Sequence, residues 1–262
     1  MLRRSLLRAV ATGGLTCRFS AAMAPHQPGS SPGDEAQPAE AGEIDLLLVL
    51  AVDVSRSIDV EEAQLQREGY RAAIADPAIL AAIRGTGAGA IGVAYVEWAG
   101  QGYQRLVVPW MRIALPADAR AFAARLDGPP GRPDAETVSD AHTSISGGIE
   151  FSRRLLSEAP WSAARRVIDV SGDGDNNSGP PAEAARDRAL AEEIGINGLA
   201  VINDRPPFAY AGPVPLADYY RDAVIGGPGA FVVVAEDFRD FARAVRRKMI
   251  CEIAGTRMPA AA

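Results

Sequence analysis

Across 262 residues the chain has only two cysteines, two histidines and one lysine. Cys17 and Cys251 can build neither a disulfide framework nor a zinc cluster. The histidines are His26 and His142, far apart in sequence. With no G-x-S-x-G elbow either, a Ser-His-Asp hydrolase is disfavoured. There is no basic stripe. The net charge is −6 and the pI about 5.1, which disfavours nucleic acid and anionic membranes as partners. No stretch beyond the N-terminal segment reaches the ~18 apolar residues of a membrane span. No Walker A motif exists, and no G-x-G-x-x-G opens a helix after the first strand.

What is present is ordinary globular material, 48% hydrophobic and 23% charged, enough for one large α/β domain. Residues 1–24 have a basic start, a modestly apolar middle and Ala22-Met23-Ala24 at the end, the pattern of a signal peptide. Export to the periplasm or beyond is the corresponding expectation; the alternative is a basic tail. Residues 25–42, rich in Pro, Gly, Ser and acids, read as a disordered linker. The domain is expected over 43–255, with a tail at 256–262.

Within 43–255 strand and helix patterns alternate. Strands are predicted at 44–52, 90–99, 103–110, 165–172, 196–203 and 230–236, the second and third forming an edge hairpin. Helices are predicted at 59–76, 116–126, 143–158, 181–195 (stopped by Gly195), 216–226 and 237–253. The order implies a doubly wound, mostly parallel six-stranded sheet, order 3-2-1-4-5-6, with one antiparallel edge strand and helices on both faces. In such sheets ligands bind at the carboxyl edge, where strand 1 neighbours strand 4. Here both strands end in oxygen-rich loops, Asp53-Val-Ser-Arg-Ser57 and Ser171-Gly-Asp-Gly-Asp175.

Those loops suit a hard divalent cation, which takes oxygen ligands. Alternate positions in an extended turn aim Ser55 and Ser57 at one point, with Asp53 beneath. Asp173 closes the far side, and Thr143, where a loop enters a helix, supplies one more hydroxyl. Each piece has a plainer use. Ser55 and Ser57 can cap the helix near Asp59, and Thr143 can cap its own helix while also serving as a ligand. Asp175, Asn176 and Asn177 read as turn formers. His142 reads as a solvated loop residue, Trp98 and Trp110 as edge packing, and Cys251 as a small apolar residue of the last helix. Asp169 lies inside its strand, facing a helix.

The three elements, D-x-S-x-S at 53–57, Thr143 and Asp173-Gly174, resemble the metal-ion-dependent adhesion site (MIDAS) of the von Willebrand factor type A (vWA) domain. The resemblance spans about 44–253. It implies that Ser55, Ser57 and Thr143 bind the metal (Mg²⁺, or Mn²⁺ or Ca²⁺) directly, while Asp53 and Asp173 act largely through water. It also implies a function in binding, with the metal engaging an Asp or Glu of a protein partner. "YVEWAGQGYQRLVVPW" and "YYRDAVIGGPGAFV" look more specifically like an uncharacterised bacterial branch of this fold, a resemblance that implies an exported protein and no named activity.

The rival reading is an enzyme. "SGDGDNN" (171–177) also resembles the late acidic motif of haloacid-dehalogenase-type phosphatases, which use Mg²⁺. Those need D-x-D on the first strand, one Asp to attack phosphate and one to move protons. Here the second position is Ser55, and no lysine precedes the acidic motif. A structural vWA-like domain with an unused site is the third class.

Overall fold

The computed structural model describes residues 43–130, 142–203 and 211–255. The expected signal peptide, linker and tail, together with residues 131–141 and 204–210, lie outside the described residues.

Apart from an unexpected second helix between the first two strands, the elements in this range follow the order expected from the sequence. Strand β1 (Ile44–Asp53) leads through helices α1 (Val60–Ile74) and α2 (Pro77–Arg84) to β2 (Ile91–Trp98). β3 (Gln104–Ile113), α3 (Pro116–Arg125), α4 (Ile145–Ser157) and β4 (Ala163–Gly172) follow. Then come α5 (Ala182–Ala191), β5 (Ile194–Val201), α6 (Leu216–Tyr219), a π-helical turn (Tyr220–Val224), β6 (Val232–Ala235) and α7 (Phe241–Ala254). The sheet order is β3-β2-β1-β4-β5-β6, parallel throughout except for the β2–β3 pair.

β1 shows why this sequence makes a central strand. Its alternate residues Leu46, Leu48, Leu50 and Val52 join the core beneath α1, α2 and α7. Leu47, Val49 and Ala51 join the core beneath α4 and α5. Burial on both faces accounts for a near-continuous apolar run instead of an alternating one. Each such leucine contributes about 1.5–3 kcal/mol.

Several local expectations need correction. The sequence pattern carries one helix to residue 76, but α1 ends at Ile74. Asp76 then caps a separate helix, its carboxylate accepting the Ala78 N–H (2.7 Å) ahead of Pro77 at the first position. Gly195 does not stop α5; it is the second residue of β5, and Glu193 makes the left-handed turn with φ of 58°. The 226–229 loop passes close to it: a Cβ on Gly227 would lie 3.1 Å from Gly195 Cα, whereas a Cβ on Gly195 itself would meet nothing nearer than 3.9 Å. Trp98 is no edge residue. It is fully buried, and α4 lies directly on its indole because a Cβ on Gly148 would sit 3.0 Å from it. Trp110 does tie the edge strand inward, its indole N–H donating to the Leu155 carbonyl (3.2 Å). Cys251 is buried on α7 as expected.

Candidate metal centre

β1 and β4 run side by side in parallel, with Val52 beside Ser171, so their carboxyl ends deliver Asp53 and the Asp173 turn to one place. Asp53 is fully buried, and its Oδ1 accepts the Ser55 N–H at 2.7 Å. That bond curls the loop so that Ser55 and Ser57 Oγ lie 3.3 Å apart. Ser57 Oγ donates to Asp173 Oδ1 (2.7 Å), and Thr143 Oγ1 donates to Ser55 Oγ (3.3 Å). Ser55, Thr143 and Asp173 are buried and Ser57 half-buried. All five residues singled out from the sequence thus meet in one cluster.

Thr143 reaches the cluster because another residue caps its helix. Ser144 Oγ accepts the Gly147 N–H (3.2 Å), which leaves the threonine hydroxyl for Ser55. Asn176 and Asn177 do more than turn the chain. Asn177 Oδ1 accepts the Thr143 N–H (2.8 Å), Asn176 Oδ1 accepts the Ser146 N–H (2.9 Å), and the Asn177 N–H returns to the Thr143 carbonyl (2.9 Å). The acidic turn and the threonine loop are therefore pinned to each other. His142 is exposed beside them. Asp169 stands apart, ion-paired with Lys248 on α7.

Three contributors escaped sequence reading. Asn203 Nδ2 donates to Asp173 Oδ2 (3.0 Å) and to the Ser57 carbonyl (3.3 Å). Its signal was its place at the end of an apolar run on the same sheet edge. Gln66 on α1 donates to the Asp53 carbonyl (3.2 Å). Tyr220 lies on the π-helical turn, and no periodicity could have assigned it.

Among the described residues the cluster holds no positive charge. Burial, then the charge of Asp173, raise the Asp53 carboxyl well above its ordinary range. Burial also raises Asp173, against the pull of the Asn203 and Ser57 hydrogen bonds. Among the described residues no Lys or Arg pairs with either acid, and Asp53 Oδ2 is buried without a hydrogen-bond partner. Two buried acids, three hydroxyls and an orphaned carboxylate oxygen are a hard-oxygen donor set of the kind Mg²⁺, Mn²⁺ or Ca²⁺ takes. The residues present fit such a cation. Among the described residues no cluster of three or more His, Cys, Asp or Glu offers a different metal site.

Comparison with known proteins follows the same lines. A family model described as "Protein of unknown function (DUF1194)" matches residues 43–257. No curated protein matches the sequence. Among solved structures, proximal thread matrix protein 1 from the mussel byssus, with a zinc-occupied MIDAS motif, aligns at TM-score 0.56 and 12% identity, covering 82% of this chain and 50% of that one. A von Willebrand factor type A protein from Catenulispora acidiphila gives TM-score 0.51 and 18% identity over 81% of this chain and 43% of that one. The pilus adhesin SpaC from Lactobacillus rhamnosus GG, in its open conformation, gives 0.52 and 12% over 80% and 30%. The chain spans about half the length of the mussel protein. At such identities the shared property is the fold, which is that of a vWA domain.

Proposed function

Since the chain belongs to the DUF1194 family, described only as of unknown function, we propose its role from the site: divalent-cation-dependent binding of an acidic group on a protein partner. Asp53, Ser55, Ser57, Thr143 and Asp173 would hold the cation, Mg²⁺ or else Mn²⁺ or Ca²⁺. When bound, it would offer an open coordination position to an external Asp or Glu carboxylate. The protein's own work is preorganisation. Asp53 orients the Ser55 backbone, Asp173 orients Ser57, and Asn177 holds Thr143 in place. The observation that carries the reading is a buried diacid ringed by hydroxyls with, among the described residues, no cationic side chain paired to it.

That partner binding takes place outside the cytoplasm is part of the same proposal, supported by the A-x-A pattern at residues 22–24. No described helix is long and apolar enough to cross a membrane. The phosphatase reading is weakened because Ser55 occupies the position of the proton-transferring acid. The only lysine, Lys248, is in addition bound in the core by Asp169 and Glu252. The proposal is therefore a binding domain and not an enzyme.

The test is capture of partners from the host's envelope fraction on the immobilised protein, with Mg²⁺ and with chelator. Capture that needs Mg²⁺ and disappears with Ser55→Ala/Thr143→Ala is the expected result. Capture that persists in chelator and in the double variant overturns the adhesion reading. Mg²⁺-dependent phosphatase activity lost in Asp53→Asn would restore the rival.

A further inference from the structure

Asp53 has two carboxylate oxygens, and the hydroxyl ring explains only one. Oδ1 is taken by the Ser55 N–H, while Oδ2 is buried with no partner. A second orphan lies close by. Tyr220 is fully buried, and its phenolic oxygen also has no hydrogen-bond partner. A Cβ built on Gly172, the last residue of β4, would lie 2.8 Å from Tyr220 Oη and 2.9 Å from Asp53 Oδ2. The two unsatisfied oxygens therefore flank one glycine, and any side chain there would be driven between them. Their separation is at most the sum of those two distances, within the reach of one bridging water. Leaving both unpaired would cost each its full desolvation penalty.

The backbone that brings Tyr220 here is irregular. α6 runs into a π-helical turn closed by the Ile225 N–H to the Tyr220 carbonyl (2.9 Å). Such insertions recur at functional sites because they re-aim side chains. Here the two successive tyrosines both serve the carboxyl edge. Tyr219 Oη accepts the Asn176 N–H (3.1 Å), and Asn176 in turn holds Ser146. The rings meet edge to face, with centroids 6.2 Å apart. Burial and the charges of Asp53 and Asp173 raise the Tyr220 phenol well above its ordinary range, so it is a neutral donor.

We propose that Tyr220 is a positioning residue of the candidate centre, its phenol donating to Asp53 Oδ2 directly or through one water and fixing the carboxylate on which the Ser55–Ser57 loop is built. A neutral donor suits this place. It satisfies the oxygen without cancelling the negative charge, whereas a lysine or arginine would itself take the role of the cation. Gly172 keeps the path between the two oxygens open. The consequence for metal affinity rests on the function proposed above; the hydrogen bond itself does not.

The experiment compares the full-length protein with Tyr220→Phe, which removes one oxygen and keeps the ring. Proton NMR of the metal-free protein should show a slowly exchanging phenolic hydroxyl that is absent in Tyr220→Phe and shifted in Asp53→Asn. Calorimetric titration with Mn²⁺ should show about tenfold weaker binding in Tyr220→Phe, in line with losses of partners behind metal ligands. Gly172→Ala, with the phenol intact, should weaken Mn²⁺ binding similarly by wedging the two oxygens apart. A Tyr220 hydroxyl insensitive to Asp53→Asn overturns the proposal, as does a Tyr220→Phe protein that melts earlier but binds Mn²⁺ like the parent. If the parent binds no Mn²⁺ yet the hydroxyl responds to Asp53→Asn, the Tyr220–Asp53 bond stands and the metal reading falls.

Discussion

Two pairs of acids are buried in this protein, and β4 contributes to both. Asp169, inside the strand, shares the core with Glu252 of α7. Asp173, four residues on, shares the carboxyl edge with Asp53. The inner pair has its cation built in. Lys248, the only lysine, is fully buried with its ammonium 2.7 Å from Asp169 and 2.6 Å from Glu252. The outer pair has hydroxyls and amides around it and, among the described residues, no basic partner. Buried charge persists only where it is compensated. The inner pair is thus a structural element complete in itself. The outer pair is built as if its positive charge comes from outside, at the carboxyl edge of the sheet.

The sharpest way to break this contrast is to remove the inner cation. Lys248→Met should lose about 3–5 kcal/mol of stability in urea unfolding, because it strands two buried carboxylates. Added Mg²⁺ should not restore the loss, since no ring of hydroxyls surrounds that pair. Recovery with Mg²⁺ would mean the two acid pairs are not different in kind.

The outer pair should behave in the opposite way. At a hundredfold excess over its dissociation constant, Mg²⁺ should stabilise the parent protein by about 2.7 kcal/mol, reversibly with chelator. Ser55→Ala/Thr143→Ala should keep the fold and lose this increment. A thermal-shift series at fixed protein concentration measures both.

The inner pair should also report on pH. Burial, then the charge of Asp169, raise the Glu252 carboxyl to about 7, with Lys248 and Asn197 pulling the other way. Tyr70 of α1 and Arg165 of β4 also feel its charge. A carboxyl whose pKa is higher folded than unfolded binds more protons in the native state. Stability from this group is therefore fully present below about pH 4.5 and lost as pH rises through about 7. Glu252→Gln should flatten that part of the profile, so the parent minus variant difference in unfolding free energy should fall between these limits. A flat difference would show that Lys248 neutralises both acids at every pH.

The smallest effect belongs to the scaffolding of the outer site. Asn177→Ala removes the side chain that holds the Thr143 N–H and should cost about 1 kcal/mol. Its Mn²⁺ affinity, measured by titration, should fall only a few-fold, because the threonine hydroxyl itself remains.

The layout of the fold was legible because local patterns repeat the tertiary logic. The run Ile44–Val52 could be apolar at every position only in a strand covered on both faces, and Asp53 marked where that cover stops. D-x-S-x-S and Asp173 were legible because each follows the end of an apolar strand on the same sheet edge, and Thr143 because it stands where a loop enters a patterned helix. Asp76 followed by Pro77 spelled a helix start, but the continuing apolar periodicity hid it. Gly195 imitated a helix stop, but the left-handed turn after α5 falls on Glu193, a residue whose type gives no such signal. Trp98 seemed peripheral because only the packing of Gly148 shows what lies over it.

Strand order, the switch point and the identity of five candidate ligands were inherent in the sequence, since each follows from periodicity or from residue type at an element's end. What only the tertiary structure decided is which groups share charge and hydrogen bonds across that edge. It paired Lys248 with Asp169 and not with Asp53, gave helix capping to Ser144 and not to Thr143, and brought Asn203 and Tyr220 to the acids. Such pairings depend on distance and burial between residues up to 167 positions apart, from Asp53 to Tyr220, and no local pattern encodes either quantity.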